Sequence, residues 1–202
     1  FRRVLFRSIM PNLMQTIEHT PCLVHTGPFA NIATGNSSIL ADKIALKCAE
    51  FVVTESGFGA DMGAEKFMNI KCRYSGLKPN AALLVCSIRA LKAHSGKYSI
   101  RPGKPLDPGL IQENTEDLKK GLPNLEKQIE NITTYGIPVV VAINRFSTDS
   151  DGEVQMIREA GMRAGAHAVV VSEAFIRGGE GCREMAEAIA DAASQPSQFA
   201  HL

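Results

Sequence analysis

Short continuous runs of aliphatic and β-branched residues alternate along this chain with longer segments whose apolar residues recur at helical spacing. The runs fall at residues 22–25, 51–54, 82–88, 138–143 and 168–171. Each is bounded by turn formers and lacks strict polar alternation, the pattern of strands covered on both faces. Helices are predicted between and after them at 37–49, 64–74, 115–134, 153–164 and 183–193. Leu118, Leu122, Leu125 and Ile129 make the longest apolar stripe. That alternation predicts an α/β fold, a mostly parallel sheet flanked by helices. With 202 residues, 45% of them hydrophobic, the chain can bury a core of that size.

Ligands of such sheets collect beyond the carboxyl ends of the strands. The polar and glycine-rich segments here, 27–38, 55–63, 89–96, 144–149 and 172–181, all follow predicted strands, so five loops are expected on one rim. The second, in TESGFGADMGAEKF at 54–67, sets Gly57, Gly59 and Gly63 between a strand and a helix. Glycine backbone approaches a ligand closely, and a helix start aims free N–H groups at an anion. The same spacing also makes a tight strand-to-helix turn, and it matches neither a Walker A loop nor a dinucleotide fingerprint. Between Ser95 and Gln112 periodicity lapses among three prolines and three glycines, which reads as an exposed excursion.

Charge narrows the partners. Lys and Arg total 22 against 21 Asp and Glu, a net charge of +1, so no broad positive field points to nucleic acid. No apolar run reaches the ~20 residues needed to span a bilayer, and no leader with a cleavage site is visible. Cys22, Cys48, Cys72, Cys86 and Cys182 are odd in number and scattered, fitting neither a zinc spacing nor a disulfide framework. They read as reduced core thiols, with the cytoplasm as the expected location. Residues 1–9 read as extraneous, 10–194 as part of a large nucleotide- and folate-binding α/β domain, and 195–202 as a connector.

The segments GPFANIATGNSS (27–38), TESGFGADMGAEKFMNIKCR (54–73) and VCSIRALKAHSG (85–96) resemble, in order, signatures of the formate–tetrahydrofolate ligase family, also called 10-formyltetrahydrofolate synthetases. The resemblance covers nearly everything from about residue 20 onward. It implies a P-loop NTPase-like fold, incomplete here, and an ATP-dependent ligase. In that reaction formate attacks the γ-phosphate, and tetrahydrofolate takes the formyl group from formyl phosphate. The substrates implied are formate, ATP with Mg2+ and tetrahydrofolate; a monovalent cation and a homotetramer are implied as well.

Under this resemblance Phe58, Gly59, Ala60, Asp61 and Gly63 form the formyl-phosphate loop, Asp61 either facing the anion or capping the helix. Phe146 and Phe175 sandwich the pterin, although the family usually carries tryptophan at the second position and this chain has none. Asn144 and Ser172 contact the nucleotide, and Arg89 orients an anion or ties loops together. Asn144 serves equally well in a turn, and lone aromatic loop residues also serve as core anchors. Lys66, Lys71 and Arg73 read as ordinary solvated cations, and His25 and His94 as structural. Thr34 stands where the family commonly has histidine, and Cys86 where it has alanine. No metal ligands are assigned. The family's G-x-x-x-x-G-K-[ST] loop, expected upstream, does not occur in these residues. The chain therefore reads as a central fragment with little ligase activity alone. Other ATP-dependent carboxylate-activating enzymes, of the dethiobiotin synthetase type, and a noncatalytic remnant module are the alternatives.

Overall fold

The computed structural model describes residues 10–24, 34, 36 and 38–202, in two units, Phe1–Lys78 with His201–Leu202 and Pro79–Ala200. Residues 1–9, His25 and most of the 27–38 signature lie outside the described residues.

In the first unit, β1 (Asn12–Gln15) pairs antiparallel with β2 (Pro21–Val24), Asn12 opposite Val24. Cys22 to Val24 of the run expected in the parallel sheet at 22–25 therefore belong to a hairpin, because the short link between the strands leaves no room for a crossover. α1 (Ile39–Cys48) begins at Ser38, whose Oγ accepts the Ala41 N–H at 3.1 Å. Residues 51–54 form no strand among the described residues. Val53 is 84% exposed, and the nearest pairing is an isolated bridge of Asn36 to Ser56. A β-prone run without a neighbour has no ladder to complete.

From Ala60 the chain winds through π-helical stretches, Ala60–Ala64 and Phe67–Cys72, into α2 (Arg73–Ser75), which stops at Gly76 with φ +74°. Lys71, expected in solvent, is fully buried. Its ammonium pairs with Asp42 of α1 at 2.5 Å, donates to Asn36 Oδ1 and lies 5.5 Å from the Phe67 ring centre. Burying an ammonium requires such a carboxylate, and the pair links α1 to the π-helical segment.

The second unit contains the parallel sheet. β3 (Ala82–Cys86), β4 (Val139–Asn144) and β5 (Ala168–Ser172) stand in that order, with Ala82 opposite Val139 and Val140 opposite Ala168. β3 ends two residues before the predicted boundary because Ser87 turns to cap α3 (Ile88–Ala93), its Oγ accepting the Ala90 N–H at 3.3 Å. The chain continues through α4 (Pro108–Ile111) and α5 (Thr115–Thr133) to β4, then α6 (Asp151–Arg163) leads to β5. α7 (Ala174–Arg177), a 3-10 turn (Gly178–Cys182) and α8 (Arg183–Ser194) complete the unit.

Val139 to Ile143 of β4 are fully buried, as a central strand must be. Val140 and Val170 pack on α8 through Ala192, Met185, Ala188 and Ile189. On the opposite face Val169 meets Gly161 of α6 and neighbours Ile129 of α5, completing the helix–sheet–helix layering. The predicted stripe Leu118, Leu122, Leu125 and Ile129 is buried throughout. The 95–112 excursion is largely exposed, as expected, and is pinned at a few points. Tyr98 Oη donates to Asp117 Oδ2 at 2.5 Å, Lys97 Nζ to the same oxygen at 3.1 Å, and Leu110 is buried. The Tyr98 hydroxyl, helped by Lys97 and Asn114, holds the Asp117 carboxyl below its ordinary range despite its burial.

All five cysteines are free, but they do not share one environment. Cys72 is buried and Cys48 exposed; burial pushes the Cys86 thiol up to about 12. The expectation of uniform core thiols fails at Cys48, the last residue of α1, where the helix turns a side chain to solvent.

Candidate functional site

Of the five strand-end loops expected on one rim, the parallel sheet supplies three. The 27–38 loop lies mostly outside the described residues, and 55–63 belongs to the other unit. Within the sheet, β4 and β5 finish together. Asn144 is in register with Ser172, and the Arg145 N–H donates to the Ser172 carbonyl at 3.2 Å. The two residues assigned to nucleotide are thus neighbours at the carboxyl ends of adjacent parallel strands. Beyond Ser172, Glu173 N–H donates to the Gly181 carbonyl at 3.0 Å, closing the following turn. Phe175 stands on that turn at 93% exposure, so it packs no core and presents an open ring.

Arg89, the second residue of α3, lies over Phe146 with its guanidinium carbon 4.0 Å from the ring centre. Its Nη2 donates to Thr148 Oγ1 at 3.0 Å, whereas its Nε is buried without a partner. Among the described residues Arg89 has no carboxylate partner, so its charge is held by an aromatic face and a hydroxyl alone. One face of Phe146 is thereby covered.

The turn that carries Phe146 is braced from within. Asp149, 5% exposed, accepts the Phe146 N–H through Oδ2 at 2.9 Å and leaves Oδ1 unpartnered. Arg145 Nη2 donates to Asp151 Oδ1 at 2.7 Å and to the Asp149 carbonyl at 3.3 Å.

Behind this turn lies an ion pair that residue patterns did not single out. Lys92 and Glu153 are both fully buried and 2.9 Å apart. One signal for it was present: Ser150-x-x-Glu153 has capping-box spacing, and both reciprocal capping contacts form. His94 follows the last residue of α3 as its cap, its backbone N–H donating to the Ala90 carbonyl at 3.2 Å.

The glycine loop of the first unit is tightly built. Gly59 is the cap residue of the π-helical segment, and its carbonyl accepts from Met62 and Ala64 at 3.2 and 3.4 Å. Asp61 therefore sits inside the first turn, exposed, and is not the cap, because the helix starts two residues earlier than a capping aspartate requires. Phe58 adopts φ +67°, a left-handed conformation uncommon outside glycine, and its ring is exposed.

A Cβ on Gly63 would lie 1.9 Å from the Gly57 carbonyl oxygen, part of the backbone, while one on Gly59 would meet the Asp61 side-chain carboxylate at 2.4 Å. Gly63→Ala is thus expected to lower stability by about 1–3 kcal/mol through forced backbone movement, and Gly59→Ala to cost less. Urea unfolding of the two variants checks the order; equal stabilities are the result that contradicts it.

Among the described residues no three His, Cys, Asp or Glu side chains cluster to hold a metal ion, and no helix is long and apolar enough to cross a membrane. The family model described as formate–tetrahydrofolate ligase matches residues 2–202. Proteins named formate–tetrahydrofolate ligase are 53% identical in Saccharopolyspora erythraea over 97% of this chain, and 55% identical in Chloroflexus aggregans over 96% of it. Another from a Roseiflexus species is 54% identical over 98%. The chain spans about a third of the length of these curated relatives, 34%, 34% and 35% respectively.

Proposed function

This chain belongs to the formate–tetrahydrofolate ligase family, and we propose that it forms part of an enzyme that uses ATP to join formate to tetrahydrofolate. Formyl phosphate is the intermediate, and 10-formyltetrahydrofolate, ADP and phosphate are the products. The observation that carries the reading within this chain is the Arg89–Phe146–Thr148 assembly beside the paired ends of Asn144 and Ser172. An arginine without a carboxylate partner, laid on an aromatic ring at the carboxyl ends of parallel strands, is suited to orient an anionic group through its remaining N–H donors.

In this reading Phe175 and the uncovered face of Phe146 offer aromatic planes to the flat pterin, and Asn144 and Ser172 contact the nucleotide. Phe58, Gly59, Ala60, Asp61 and Gly63 cradle formyl phosphate, with a cation offsetting the repulsion from Asp61. Mg2+ arrives with ATP as part of the substrate. A monovalent cation, a homotetrameric full-length enzyme and a cytoplasmic location complete the proposal. Because no G-x-x-x-x-G-K-[ST] occurs in these 202 residues, the chain alone is expected to bind folate without turnover.

Calorimetric titration of the chain with tetrahydrofolate tests the folate site. Saturable binding is expected, and Phe175→Ala is expected to weaken it by about tenfold, the loss of one stacking contact worth roughly 1.4 kcal/mol. Phe175 is too exposed to support the fold, so the melting temperature stays constant. Binding indifferent to Phe175→Ala, or none by the unaltered chain, overturns the assignment.

A further inference from the structure

We infer that the buried Lys92–Glu153 pair is a positioning device that sets α3 against the start of α6 and so places Arg89 on Phe146. The value of that placement for ligand binding rests on the ligase reading; the placement itself does not.

Five hydrogen bonds converge on the pair, one of them from the Ser150 hydroxyl to Glu153 Oε2 at 3.4 Å. Lys92 Nζ donates to Glu153 Oε1 at 2.9 Å and to the Gln112 carbonyl at 2.7 Å. The same Oε1 accepts the Asn114 N–H at 2.9 Å, while Oε2 accepts the Ser150 N–H at 3.4 Å. Two apolar side chains of equal volume would stabilise the fold as well or better, but they would accept many relative settings of the two helices. The ion pair, with every bond directional, accepts one.

Its position makes that setting consequential. Arg89 lies three residues before Lys92, on the same face of α3 and one turn away. On the other side Glu153 folds back onto Ser150, which directly follows the turn holding Phe146, Thr148 and Asp149. A closed circuit results. From α3 it runs through Lys92 and Glu153 to the Ser150 cap, through the turn to Thr148 and Phe146, and by Arg89 back to α3. The rim end of the circuit is partly exposed and held by one hydrogen bond from the Arg89 guanidinium to a neutral hydroxyl and one cation–π contact. The other end is sealed and charged, so the buried pair is the stronger constraint on where Arg89 points.

The Arg89 Nε–H signal of the 15N-labelled chain reads this directly, because the Phe146 ring current displaces it. Phe146→Leu fixes its undisplaced position. In the paired variant Lys92→Met with Glu153→Leu, melting is expected to stay near that of the unaltered chain. The Arg89 signal is expected to move to the undisplaced position, and tetrahydrofolate affinity to fall on the order of tenfold, as for loss of a group that orients binding residues.

A folded paired variant with an unchanged Arg89 signal overturns the inference. If that variant does not fold, Glu153→Gln decides: its amide keeps the shape without the charge, so a signal displaced part-way supports the inference and an unmoved one overturns it. Failure of the unaltered chain to bind tetrahydrofolate would remove the ligase reading but leave the Arg89 signal to judge the positioning.

Discussion

Gly121→Ala is expected to destabilise the Pro79–Ala200 unit by about 3 kcal/mol, although alanine is the better helix former. A Cβ at Gly121 of α5 would lie 1.8 Å from the Leu91 carbonyl oxygen and 2.6 Å from its carbon. Those atoms are backbone of α3, so no rotamer change relieves the clash, and the two helices must part. Helix propensity favours alanine by only ~1 kcal/mol, whereas overpacking a close helix contact costs about 1–3 kcal/mol or more. With the obstruction in backbone, the upper end applies and sterics win. Leu91 lies between Arg89 and Lys92, so the displacement also reaches the rim and the buried pair. Urea unfolding followed by circular dichroism gives the difference; an alanine variant as stable as the parent would mean that α3 and α5 do not approach this closely.

Lys92→Met is expected to cost more, about 3–5 kcal/mol, because it leaves the Glu153 charge buried without its cation. The size of the loss is expected to depend on pH in a specific direction. Burial pushes the Glu153 carboxyl up, but the Asn114 N–H, Lys92 and the Ser150 N–H together outweigh it and hold the group below its ordinary value of 4.5. A depressed folded value means that the ionised group adds stability above the unfolded value, and that this contribution is lost as pH falls through the folded value.

In Lys92→Met the cation is gone and burial gains weight, so the carboxyl titrates higher and its penalty is relieved by protonation. The stability gap between parent and variant is therefore largest near pH 7 and narrows as pH falls toward and below 4.5. Denaturant melts at several pH values measure it. A gap constant from pH 7 to 4 would show that Lys92 acts through packing alone.

Much of the second unit was legible in the residues. The runs at 82–88, 138–143 and 168–171 became β3, β4 and β5 with small boundary shifts, and the leucine stripe of α5 became core. The neighbouring positions of Asn144 and Ser172 follow from the parallel register of their strands. Local pattern failed where the deciding partner was remote or missing. Residues 51–54 have β-prone composition but no ladder beside them among the described residues, and 21–24 folded onto the nearby 12–15 segment instead of crossing over. Lys71 reads as a surface lysine until Asp42, in another helix, is placed beside it.

The family, the α/β class and the approximate positions of the three parallel strands were determined by sequence, because periodicity, turn chemistry and ordered motifs are properties of neighbours along the chain. Tertiary structure alone decided that Arg89 rests on Phe146, that Gly121 admits the α3 backbone, and that Lys92 meets Glu153 across 61 positions. The reason is physical. A buried charge is tolerable only where a remote partner arrives at hydrogen-bond distance, and no local pattern records which partner that is.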